Sequence, residues 1–244
     1  MPASETEASD LHSEVERLRA KVRQLRDGRD DLSYVFVMTY GRSGSTLLMG
    51  LLNTLPGYLI RGENDDALRF LHDFHTTCVA RSQHWPVDRV RRRTDAFYGI
   101  GDFPPALSLA DIRKLALDTL LRPKPETRVT GFKEIRWWRH DDLPAYVAWL
   151  REVFPGARFL VNTRNHADVL QSKWWAKGGD NSEHLADIER RLLEAAAGLG
   201  DAAYRVHFDD YVADPGVLAP MFAWLGEEYD EASVRATMER KHSV

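Results

Sequence analysis

Eight residues, Thr39-Tyr-Gly-Arg-Ser-Gly-Ser-Thr46, place two glycines, an arginine and a row of hydroxyls between an apolar run and a helix-forming run. Residues of these types at this spacing suit the binding of an anion. Gly41 and Gly44 let the backbone wrap closely around an oxyanion, and the amides of Ser43 to Thr46 open a helix whose N-terminus favours negative charge. Ser43, Ser45 and Thr46 add hydroxyl donors, and Arg42 adds a permanent positive charge. The nucleoside-triphosphatase loop G-x-x-x-x-G-K-[ST] is a different motif: it has a lysine between its second glycine and its hydroxyl residue. Here Ser45 follows Gly44 directly, and the cation precedes that glycine. A Gly/Ser turn that joins strand to helix without any ligand is the alternative these residues leave open.

A second cation stands in a comparable place. Arg158-Phe-Leu-Val161 reads as a strand and runs into Asn162-Thr-Arg164, with Ser172 eight residues beyond Arg164 on the expected following helix. Open α/β sheets bind ligands outside the carboxyl ends of their strands, so Arg164 and the Gly41–Thr46 turn share one crevice if their strands are neighbours. A metal–triphosphate site would want an acidic residue at such a strand end. Asn162, Thr163 and Arg164 suit a second anion without a metal. A surface ion pair is the commoner fate of a lone arginine, and Trp174 and Trp175 read as core residues. His72, His75 and Cys78 do not suggest a metal either, because on one helix the outer two point about 240° apart.

The elements that must position these groups alternate along the chain. Tyr34–Met38, Leu59-Ile60, Val129–Ile135, Arg158–Val161 and Tyr204–Phe208 read as short apolar strands. Helices are expected over Thr46–Leu52, Ala67–Ala80, Ser108 (as a cap) to Leu121, Asp142 to Phe154, Ala167–Ala176 and Ser182–Ala197, with two short ones near the end. Ser82 to Pro105 is rich in proline and glycine and reads as a functional loop, a candidate wall of the acceptor site. The fold class predicted is α/β, a parallel sheet with helices on both faces over residues 31–244. Residues 1–30 form a separate polar segment, in which Leu11, Val15, Leu18, Val22 and Leu25 mark a short heptad stripe. That stripe either packs on its own domain or makes a homodimer.

Among 244 residues, 33 are basic and 37 acidic, for a net charge of −4, which argues against a nucleic-acid partner for the chain as a whole. The single cysteine, Cys78, excludes an internal disulfide. No apolar run is long enough to span a bilayer, and MPASETEASD lacks the order of a signal peptide, so the expectation is a cytoplasmic protein with no membrane partner.

Arg42-Ser-Gly-Ser-Thr46 resembles the 5′-phosphosulfate loop of sulfotransferases that use 3′-phosphoadenosine 5′-phosphosulfate (PAPS). Arg164 and Ser172 are similar to that family's 3′-phosphate clamp, and Gly131-Phe-Lys-Glu-Ile135 resembles a motif of its carbohydrate and bacterial members. Tyr204-Arg-Val-His-Phe-Asp-Asp-Tyr211, followed by Asp214-Pro215, looks like its closing strand and helix. The resemblance covers about residues 33–244. It departs from the cytosolic small-molecule branch, which has Pro-Lys where Gly41-Arg42 stands and a stacking aromatic where Leu47 stands, so the way adenine is held is left open.

The resemblance implies PAPS as donor, no metal, and a hydroxyl of a carbohydrate or small metabolite as acceptor. Sulfuryl transfer is a loose in-line displacement helped by positioning and by charge, and it needs a base for the acceptor proton. Arg42, Ser43, Gly44, Ser45, Thr46, Arg164 and Ser172 are the expected donor-binding residues. Lys133 is the expected second cation on the transferring group. Glu63, in Arg61-Gly-Glu-Asn-Asp-Asp66, is the expected base, with Asp65 as the fallback and helix capping by Asn64 or Asp65 as the competing reading. His242 is a further candidate for a nucleotide phosphate. A P-loop kinase, or a non-catalytic dimeric adaptor with a vestigial phosphate loop, are the alternative functions.

Overall fold

The computed structural model describes residues 29, 31–172, 174–175 and 181–239. The heptad stripe, His242 and residues 176–180 lie outside them. Five strands form one parallel sheet: β1 (Ser33–Met38), β2 (Tyr58–Arg61), β3 (Val129–Glu134), β4 (Arg158–Thr163) and β5 (Ala203–His207), in the order β2-β3-β1-β4-β5. The α/β class read from the alternating pattern is thus the observed one.

β1 is central, and its alternation divides the interior in two. Tyr34, Phe36 and Met38 point to one face, where they meet Ile112 and Leu121, Tyr146 and Leu150 of α4 (Leu143–Val153), and Leu185, Ile188 and Leu192 of α6 (Ser182–Ala197). Val35 and Val37 point to the other face and meet Leu48, Leu51 and Leu52 of α1 (Ser45–Leu52) and Met221, Phe222 and Leu225 of α8 (Ala219–Leu225). A strand buried on both faces must be apolar at every position, and Tyr34–Met38 is.

The remaining helices are α2 (Leu68–His84), α3 (Pro105–Leu115), α5 (His166–Leu170), α7 (Phe208–Ala213) and α9 (Glu231–Met238). Asp142 caps α4 as expected, its carboxylate accepting from the Ala145 amide at 3.0 Å. Ser108 is not a cap: α3 starts three residues earlier at Pro105, and the Ser108 hydroxyl bonds His75 Nδ1 at 3.1 Å. The stretch after α3, Ala116–Leu121, is a π-helical turn closed by Arg122 in the left-handed region. α5 stops at Leu170, short of Ala176, and leaves Ser172 in the turn that follows. Among the described residues no helix is long and apolar enough to cross a membrane.

Candidate active site

Three candidate motifs meet at the carboxyl ends of neighbouring strands. β1 pairs with β3 on one side, Val37 opposite Lys133 and Met38 opposite Glu134. On its other side it pairs with β4, Met38 opposite Val161. The turn that leaves β1 is therefore flanked by Lys133 and by the Asn162–Arg164 strand end. β2, beside β3, brings in Glu63. The sheet reverses its order of addition around β1, the topological position at which such folds bind ligands.

The turn is held from below by buried hydrogen bonds. Thr39 donates its hydroxyl to the Asn162 carbonyl at 2.7 Å and so accepts from the Ser43 hydroxyl at 2.6 Å. Asn162 Nδ2 donates to the Ser43 carbonyl at 2.8 Å, and Tyr211 donates to Asn162 Oδ1 at 3.0 Å. The Ser43 hydroxyl, expected among the ligand donors, is spent inside this network and faces away from the crevice. Arg42 and Gly44 have left-handed φ of 69° and 81°. A Cβ on Gly44 would fall within the Phe208 ring, and one on Gly41 within the Trp174 ring, so the glycines are required by close aromatic approach.

A cavity of about 650 Å³ opens over this turn, within the range of small-molecule sites. Gly41, Arg42, Gly44, Ser45 and Thr46 line one part of it, and Arg164, Trp174 and Phe208 another. Glu63, Lys133, Ile135 and Arg136 line a third. No residue of the 82–105 loop reaches it. That loop packs on itself, Trp85 stacked on Phe97 with ring centroids 4.8 Å apart, so its expected place at the acceptor site is not observed. Trp175 is core, its indole N–H donating to the Gly41 carbonyl at 2.8 Å, whereas Trp174 is half exposed and faces the cavity.

Arg164 is anchored by its backbone: its amide donates to the Tyr40 hydroxyl at 2.8 Å, and that hydroxyl lies 2.6 Å from the Glu189 carboxylate. Its guanidinium donates to the Arg42 carbonyl at 3.2 Å and lies over Phe208 at 4.5 Å, with Asp209 at 3.9 Å. This contact joins the Gly41–Thr46 turn to the end of β4. Arg164 Nε and Ser172 Oγ are both buried without a hydrogen-bond partner among the described residues. Orphaned buried donors of this kind are uncommon; Arg164 lines the cavity, whereas Ser172 is not among its lining residues.

In the part of the cavity beside β2 and β3, Glu63 is held by two cations. Lys133, only 5% exposed, places its ammonium 2.5 Å from Glu63 Oε1, and Arg136 Nη1 lies 3.0 Å from Oε2. Burial pushes the Glu63 pKa up, but the hydrogen bonds and charges of Lys133 and Arg136 outweigh it and hold the carboxyl below the usual range. Asp65, the fallback base, points outward at 74% exposure and pairs with Arg136 and Arg139. Asn64 is the residue that caps the approach to α2, its side chain accepting from the Ala67 amide at 3.0 Å. Arg136 and Glu134 escaped the reading of the sequence, although both sit in or beside Gly131–Ile135. His75 and Cys78 stay apart from the site, and no group of three metal-ligating side chains occurs among the described residues.

A parallel α/β sheet thus gathers a glycine-rich strand-to-helix turn, Arg164 and a cation-held carboxylate at adjoining strand ends. A family model described as the sulfotransferase family matches residues 34–231, and the chain belongs to that family. A search of curated proteins finds no match. Among solved structures, the sulfotransferase domain from the Synechococcus PCC 7002 olefin synthase aligns with a TM-score of 0.55 at 21% identity, covering 89% of this chain and 81% of that one. The sulfotransferase domain from the curacin biosynthetic pathway aligns with a TM-score of 0.53 at 16% identity, covering 86% and 79%. These likenesses show the shared fold.

Proposed function

We propose that the chain moves a sulfuryl group from PAPS to a hydroxyl of a carbohydrate or small-metabolite acceptor, releasing adenosine 3′,5′-bisphosphate. The observation that carries this reading is Glu63, an ionised carboxylate gripped by Lys133 and Arg136 in the same cavity as the Gly41–Thr46 turn. Arg42, the hydroxyls of Ser45 and Thr46, and the turn's amides hold the 5′-phosphosulfate. Arg164 and Ser172 take the 3′-phosphate, and Trp174 and Phe208 offer aromatic surfaces for the adenine. Glu63 accepts the acceptor's hydroxyl proton as the new oxygen–sulfur bond forms. The bond from sulfur to the 5′-phosphate oxygen breaks in line, and Arg42 and Lys133 stabilise the charge gathering on that oxygen.

The kinase alternative finds no lysine after Gly44, and Asn162 at the β4 end already bonds Ser43 and Tyr211. Thermal shift separates the readings. A ligand at about 100 times its dissociation constant adds about 2.7 kcal/mol, and each kcal/mol moves the midpoint about 2–4 °C for a chain of this size. Adenosine 3′,5′-bisphosphate is expected to raise the midpoint and ADP with Mg²⁺ to leave it unchanged; the opposite result overturns the proposal. Glu63→Gln is expected to lower PAPS turnover about 10²–10⁴-fold while the bisphosphate still binds, an outcome the adaptor reading does not allow.

A further inference from the structure

We infer that Glu134 is a positioning residue for Glu63, with the buried His140–Asp66 pair as second anchor of the same loop. The inference rests on Glu63 being the proton acceptor. β3 ends in Lys133 and Glu134, whose side chains leave opposite faces of the strand, yet both reach residues 63–66. Lys133 meets the Glu63 carboxylate itself. Glu134, 2% exposed, accepts on one oxygen from the amides of Asn64 and Asp66, each at 3.0 Å. Its other oxygen accepts from the amides of Ile135 at 2.7 Å and Arg136 at 3.1 Å, and from Arg136 Nη1 at 3.1 Å. A buried carboxylate collecting four main-chain donors and a guanidinium has its acceptor capacity filled, and all of it is directed at the two segments that present Glu63 and Arg136.

The loop so held has a backbone it would not keep alone. Asp65 and Asp66 are consecutive residues in the left-handed region, at φ 57° and 61°. Such conformations in non-glycine residues persist only when their surroundings over-determine them. Asp66, 4% exposed, is fastened through Oδ1 to His140 Nε2 at 3.0 Å, and His140 is stacked on Tyr146 with centroids 3.6 Å apart. The His140 carbonyl in turn accepts from the Arg191 guanidinium of α6. Arg136 Nη1 is shared between Glu134 Oε1 and Glu63 Oε2. Glu134 thus sets the catalytic carboxylate twice, through the backbone of the next residue and through the cation that grips its second oxygen. General-base transfer is sensitive to such placement, and a shift of about 1 Å can cost about 10²-fold in rate.

The test compares Glu134→Ala, Glu134→Gln, His140→Phe and Glu63→Gln by two readouts. One is turnover at saturating PAPS, measured as adenosine 3′,5′-bisphosphate released with a mixed pool of sugars and small alcohols. The other is amide hydrogen exchange at Asn64 and Asp66. Glu134→Ala is expected to lose about 10²-fold in turnover and to exchange at least tenfold faster at those two amides, with bisphosphate affinity within about twofold of wild type. Glu134→Gln keeps a carbonyl for the Asn64 and Asp66 amides but sets an NH2 against the Ile135 and Arg136 donors, so it is expected to recover part of that turnover and stay about tenfold below wild type. His140→Phe, which preserves the stack on Tyr146, is expected to fall about tenfold. Full turnover in Glu134→Ala beside an inactive Glu63→Gln overturns the inference alone. Full turnover in Glu63→Gln overturns the assignment of the base instead. A parallel loss of turnover and bisphosphate affinity in Glu134→Ala reduces Glu134 to a structural residue. If Glu134→Ala does not fold, Glu134→Gln and His140→Phe carry the test: full turnover in both refutes the inference.

Discussion

Removing the Arg164 guanidinium is the most direct probe of the donor site. In the structure that group donates to the Arg42 carbonyl, lies over Phe208, and has an Nε with no hydrogen-bond partner among the described residues. Charge-assisted hydrogen bonds are worth about 1.5–3 kcal/mol, or about 10- to 150-fold in affinity. Arg164 is 28% exposed, so solvent screening places the expected loss in the lower part of that range, about 10- to 50-fold. The assay is a cycle: calorimetric titration of adenosine 3′,5′-bisphosphate and of adenosine 5′-monophosphate into wild type and Arg164→Ala. The monophosphate arm measures what loosening of the Arg42 carbonyl alone costs and is expected to change less than about threefold. The preference for the bisphosphate is expected to shrink by the 10- to 50-fold factor. If both ligands weaken equally, Arg164 acts on the 5′ turn and not on a 3′-phosphate, and the clamp assignment is wrong.

Lys133→Met removes the closest cation from Glu63. The Glu63 pKa is held low, so wild-type turnover persists as pH falls through the ordinary carboxylate range and is lost only at the depressed value; in the variant that acid limb is expected to move upward in a pH–rate profile, with a maximal rate about 10²-fold lower. Gly44→Ala forces a left-handed alanine into the Phe208 ring, so its bisphosphate affinity in the same titration is expected to fall at least tenfold, the left-handed backbone alone costing about 1–2 kcal/mol. Asp142→Ala removes the α4 cap far from the cavity; a melting curve is expected to drop about 2–4 °C, about 1 kcal/mol, with bisphosphate affinity unchanged.

Much of the site was legible because local chemistry and local spacing carried it. An apolar strand followed by Gly41-Arg-Ser-Gly-Ser-Thr46 can be little other than a tight strand-to-helix turn, and Asp142 with Pro144 marks a helix start wherever they fall. The parallel sheet followed from helices alternating with short apolar strands. What depends on residues distant in sequence was not legible. Ser43 reads as a ligand donor from its spacing, yet its hydroxyl is bonded to Thr39, which Asn162 of β4 holds in turn. Ser108 looks like a cap until His75 claims it. Trp174 and Trp175 are indistinguishable as letters, yet one is buried with its N–H on Gly41 and the other faces the cavity.

The sequence by itself determined that β1 is buried, that a tight glycine-rich turn carrying Arg42 leaves it, and that a strand ending in Arg164 could supply a second cation. Those properties reside in periods of two and 3.6 residues and in the backbone freedom of glycine, which act over a few neighbours. Only the tertiary structure decided that β3 and β4 flank β1, so that Lys133 and Arg164 stand on either side of one turn. It also decided that Glu63 and not Asp65 faces the cavity, because Glu134 reaches across from β3 to hold a left-handed loop whose geometry no local preference specifies.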